Sequence, residues 1–73
     1  MVAIVDPLRS WRTITLDDAR EELRRSEALA ALFRLAAESE PQYAAVHRMT
    51  VARADERASA YRRAIAAADG GAS

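Results

Sequence analysis

Seventy-three residues, eleven basic side chains against eleven acids, a formal net charge of zero and no cysteine set narrow limits. Without cysteine there is neither a disulfide framework nor a thiolate metal site, and a neutral chain has no long-range pull on DNA, RNA or an anionic membrane. A domain of this size buries only about 60% of the surface its unfolded chain exposes, so a protein partner or a homo-oligomer is expected to complete it.

All the bases are arginine and asparagine is absent, which reads as a bias toward GC-rich codons. No apolar run approaches the ~20 residues of a membrane-spanning helix. Met1 to Leu8 is too short for a signal peptide and is broken by Asp6-Pro7. The expected setting is the cytoplasm.

In chain order, Val2-Ala3-Ile4-Val5 is an apolar, partly β-branched run stopped by Asp6-Pro7. A lone four-residue strand would have nothing to pair with, so residues 1–14 are expected to form an extended arm. The arm carries the only tryptophan, Trp11, between Arg9 and Arg12. Tryptophan and arginine are enriched among binding hot spots, which makes these three the first candidates for contact with a partner. The competing expectation folds Trp11 back over Leu29 and Phe33 as a third side of the chain's own core.

Thr15 begins the first helix, expected over Leu16 to about Glu38. A threonine cap, Asp17 and Asp18 in the first turn and Ile14 as a staple are the usual signals of a helix start. Glu21 and Glu22 stand at favourable i, i+4 and i, i+3 spacing to Arg25. From Ala28 to Ala37 the character changes: Leu29, Leu32, Phe33 and Leu35, with alanines between them, make the helix apolar nearly all round. Such a segment is buried on more than one side, and these four complete the expected partner-binding set.

Ser39-Glu40 is a short connection, and short connections make antiparallel neighbours. Pro41 suits a first helical turn, and Ser39-x-x-Gln42 has the form of a capping box. The second helix is expected to run to Asp69 and end at Gly70-Gly71. Its inward stripe reads Tyr43, His47, Thr50, Val51, Ala54, Ala58, Tyr61, Ile65 and Ala68, spaced by threes and fours and thin because so much of it is alanine. The fold expected is therefore all-α: an antiparallel two-helix hairpin over residues 15–69, an arm over 1–14 and a flexible tail over 70–73.

Signals for chemistry are sparse. His47 is the only histidine, no HxxxH or ExxH spacing suggests a metal site, and both glycines lie in the tail, away from any phosphate-cradling loop. No catalytic, cofactor-binding or metal-binding residue is expected, nor a small-molecule substrate. Arg48, Arg53, Arg57, Arg62 and Arg63 lie on the second helix but scatter around it, unlike the single-sided strip that phosphate contacts need. The expected function is a non-catalytic helical subunit or accessory factor of a larger bacterial or phage assembly. A nucleic-acid-associated regulator or antitoxin is the alternative.

Overall fold

The structure is a computed structural model and describes residues 2–71. Two strands, β1 (Ala3–Asp6) and β2 (Arg9–Thr15), precede two long helices, α1 (Leu16–Ser39) and α2 (Ala44–Gly71), with a single 3-10 turn at Pro41–Tyr43 between the helices. The all-α expectation is thus corrected. Residues 3–15 are an antiparallel two-stranded sheet rather than an arm.

The physical reason lies in Asp6-Pro7-Leu8-Arg9. Aspartate in first position and proline in second suit a β-turn, and Asp6 Oδ1 accepts the Leu8 N–H at 2.9 Å, closing the turn with a side chain. The Asp-Pro pair does not merely stop β1 but reverses the chain. Ala3 then pairs with Thr15, Ile4 with Ile14 and Val5 with Thr13, so the β-branched Thr13-Ile14-Thr15 supply the partner that the first strand needs. Asp6 pairs with Arg9, a register shift that leaves Ser10, Trp11 and Arg12 without ladder partners on β1.

Helix α1 begins as its sequence indicates: the Thr15 side chain accepts the Asp18 N–H at 3.0 Å. The Leu16 N–H reaches back to the Val2 carbonyl at 3.0 Å, binding the sheet to the helix start. At the other end the capping box does not form. The Ser39 hydroxyl instead donates backward to the Leu35 and Ala36 carbonyls, and Glu40, held out of helical geometry ahead of proline, leads into the 3-10 turn. Helix α2 continues through Gly70 to Gly71 with no positive-φ glycine among the described residues, so it is not closed by a left-handed cap at Gly70. The rest of the expected tail, Ala72 and Ser73, lies outside the described residues.

The two helices pack antiparallel through small side chains. Ala19, Ser26 and Ala30 of α1 and Ala54, Ala58 and Tyr61 of α2 are buried, with Leu23, Phe33, Ala37, His47, Val51, Ile65 and Ala68 half-buried in the same rows. Both rows advance by alternating fours and threes, the heptad spacing of a coiled coil. The flanking charges keep the same period: Arg20, Glu27 and Arg34 on α1 meet Asp69, Arg62 and Asp55 on α2 at 3.8, 3.0 and 2.7 Å. Each pair is half-exposed and worth at most about 1 kcal/mol, but together they favour a single register. The sheet covers the end of the coil where α1 starts and α2 finishes, through Ile4 and Ile14 against Ala19, Leu23, Tyr61 and Ile65. The outcome is elongated, 47 × 22 × 15 Å.

Because the helices meet at alanine, volume added there must drive them apart. Ala58→Leu is expected to lower stability by about 1–3 kcal/mol, the usual cost of overpacking, read from urea denaturation followed by circular dichroism.

Candidate contact surface

Alanine inside leaves the large apolar side chains outside. On α1, Leu32 and Leu35 are 60% and 65% exposed, and Leu29 is exposed beside them. At 100° per residue, Ala28, Leu29, Ala31, Leu32, Leu35 and Ala36 share one broad arc of α1 whose centre points away from α2. Of the two covers expected over Ala28–Ala37, the arm or a partner, the arm does not supply one: residues 3–15 form a sheet at the other end of the helices. Only Ala30, Phe33, Ala36 and Ala37 of this segment are buried or half-buried, since the alanine-lined seam of α2 touches one side and nothing in the described chain covers the rest.

Of the residues expected to bind a partner, the structure brings Leu29, Leu32 and Leu35 together on that arc and turns Phe33 inward. There the Phe33 ring lies 5.4 Å from that of His47. His47 also meets Tyr43 edge-on and stands 3.0 Å from Glu40 by Nε2, so the one histidine is occupied in tying the 3-10 turn to both helices. Trp11 is elsewhere. It sits on the unpaired stretch of β2 and is 81% exposed, which corrects the expectation that it folds over Leu29 and Phe33. Residues missed from the sequence are Val46 and Met49, exposed on the first turns of α2, and Tyr43, assigned to the inward stripe but exposed in the 3-10 turn. Their i, i+3 spacing was the signal for Val46 and Met49.

Arg9 and Arg12 do not extend freely beside Trp11. They line a cleft of about 180 Å³ with Asp6, Asp18, Glu21, Glu22, Arg25 and Tyr61. At its base Asp6 and Tyr61 are each only 2% exposed, and the Tyr61 hydroxyl donates to Asp6 Oδ1 at 3.2 Å. Burial pushes the Asp6 carboxyl up, but the Leu8 N–H, the Tyr61 hydroxyl and the nearby Arg12 and Arg9 charges together outweigh it and hold the group below its ordinary 3.8. Burial, the Asp6 charge and the hydrogen bond to it raise the Tyr61 phenol above 10.0. Asp6 is thus ionised and Tyr61 protonated throughout the neutral range. Neither is poised to exchange a proton there, as a general acid or base must be.

Among the described residues no group of three or more His, Cys, Asp or Glu is placed to hold a metal ion. No helix is long and apolar enough to cross a membrane.

Tyr61→Phe leaves Asp6 buried with one donor fewer, and a loss of about 1.5–3 kcal/mol is expected, as for a hydrogen bond to a charged acceptor, measured by urea denaturation at neutral pH. The pH dependence follows from the depressed Asp6 carboxyl: its contribution is complete above the unfolded carboxyl's value and is lost as pH falls through the lower folded value. Asp6→Asn removes that titration. The stability difference between the native chain and Asp6→Asn is therefore expected to shrink on acidification, and a difference constant from neutral pH to strong acid would contradict this account.

No family model, no curated protein and no solved structure matches the chain.

Proposed function

We propose that this chain is a small non-catalytic helical subunit or accessory factor that acts by protein–protein contact, in the cytoplasm, within a larger bacterial or phage assembly. One observation carries the reading: the interior contact is made by alanines while Leu29, Leu32, Leu35, Val46 and Met49 stand in water. Large exposed apolar patches on soluble proteins mark places of association, and the Leu29, Leu32 and Leu35 arc of α1 is the patch in question. Trp11, displayed on an unpaired strand segment, adds the aromatic anchor that protein interfaces favour.

The nucleic-acid-associated alternative draws on Arg48, Arg53, Arg57 and Arg63, which make no ion pair among the described residues. They point to different sides of α2: Arg53 and Arg57 share one flank, Arg48 takes the other and Arg63 the back. A phosphate backbone would reach only part of the set at once.

A photo-crosslinking residue placed at position 11 or 32 in the native host tests the contact reading. Protein adducts are expected. Nucleic-acid adducts that fall away steeply between low and moderate salt, or no adduct from either position, would overturn it. In the purified protein, Trp11→Ala is expected to shift stability by less than about 0.5 kcal/mol, as for an uninvolved surface residue, while weakening the contact at least tenfold in a pull-down titration.

A further inference from the structure

We infer that the apolar back of α1 is the seat of a second copy of this chain, packed α1 against α1 in antiparallel sense with Leu32 at the two-fold axis. The inference rests on the contact reading above and names its occupant.

Area is the first argument. A compact monomer of 8.0 kDa exposes about 4,450 Å², whereas this chain exposes 5173 Å². The surplus, roughly 700 Å², is close to the ~800 Å² that each partner contributes to a stable interface. The radius of gyration agrees: 14.5 Å, against about 11 Å for a compact domain of this length.

Pattern is the second argument. Arg25, Ala28, Leu32, Leu35 and Ser39 step along the back of α1 by three, four, three and four, a second heptad seam on the opposite side from the one that α2 fills. A seam with that period is shaped for another helix rather than for a flat surface or a small ligand. Leu29 and Leu35 stand three residues to either side of Leu32, so a two-fold axis at Leu32 brings Leu29, on the flank of the seam, level with Leu35 of the other copy.

Charge supplies the direction. Arg24 and Arg25, each also paired to Glu21 or Glu22 within α1, lie on the N-terminal flank of the apolar run; Glu38 and Glu40 lie on the C-terminal flank, Glu40 beside His47 and Glu38 with no ion pair among the described residues. A parallel pairing would set arginine against arginine and glutamate against glutamate. Antiparallel pairing sets Arg24 and Arg25 beside Glu38 and Glu40 at both ends, as an isologous two-fold contact requires of a self-complementary patch.

Light scattering on the purified chain over a wide concentration range is expected to give twice the chain mass at the upper end. Leu32→Glu, on an exposed face that leaves the α1–α2 seam untouched, is expected to give a single chain with helicity unchanged by circular dichroism. Because the native chain has no cysteine, orientation can be read directly. Under mild oxidation a mixture of Leu29→Cys and Leu35→Cys chains is expected to form the 29–35 disulfide between copies in preference to 29–29 or 35–35, and preferential like-with-like bridging would overturn the antiparallel arrangement. A native chain that stays a single chain at every concentration would overturn the second copy. In that event a crosslink from position 32 to a different protein leaves the contact reading standing, and absence of any adduct at 32 and at 11 removes both.

Discussion

Everything in this molecule follows from how closely two helices approach. Alanine and serine at 19, 26, 30, 54 and 58 are the buried small residues of the α1–α2 seam, with Leu23, Phe33, His47, Val51, Tyr61 and Ile65 packed between and beside them. Close approach gives good dispersion contact along the backbone but buries little apolar area per residue, and the hydrophobic driving force scales with that area. The seam is therefore long rather than thick, running from Ala19 to Ala37 on one helix and His47 to Ala68 on the other. The alternating Arg20-Glu27-Arg34 and Asp69-Arg62-Asp55 rows matter here for specificity. A smooth alanine contact has little to distinguish one register from a slip by a turn, and a slip would oppose charges wrongly.

The sheet answers the thinness of the seam at one end only. Ile4 and Ile14 deliver the branched apolar bulk that the helices lack, and they meet it at Leu23, Tyr61 and Ile65. Asp6 then serves twice, closing its own turn through Leu8 and accepting from Tyr61. A carboxylate this deeply buried is tolerated because two donors and two nearby guanidinium groups compensate it. At the far end no such cover exists, and Leu32 and Leu35 remain in water. The molecule is asymmetric along its axis, finished where the strands lie and open where the helices turn.

Much of this was legible in the sequence, and the failures have identifiable causes. The start of α1 at Thr15, the antiparallel pairing and most of the α2 stripe follow from capping chemistry and periodicity, which are local. Within a local window Asp6-Pro7 reads as a terminator; it becomes the first half of a turn only when Thr13-Ile14-Thr15 is set beside it as the partner of β1. Tyr43 was placed on the buried stripe because the 3-10 turn at Pro41–Tyr43 breaks the 100° step that the stripe assumed. Leu29, Leu32 and Leu35 share one exposed arc while Phe33 turns inward, and Trp11 does not fold over Leu29 and Phe33 as the competing expectation had it. Only the turn, which directs the sheet toward Tyr61, separates Trp11 from that arc, and that is a long-range fact no window of sequence contains. The heptad rows of charge were equally present in the text of the chain, yet they become a signal only once the two helices are known to face each other.

The hydrogen bond between Asp6 and Tyr61 joins residues 55 apart in the chain, whereas the α1–α2 seam zips outward from a connection of a few residues. Closing a long loop costs more entropy than closing a short one, and contacts distant in sequence tend to form late. Topology then favours an order of assembly in which the helical pair grows outward from Glu40 and the hairpin, itself local, docks onto Tyr61 afterwards. In reverse, the strands are the first piece to lift. Amides of β1 and β2 are accordingly expected to exchange with solvent through local detachment of the sheet, ahead of those near Ala54 and Ala58 in the seam.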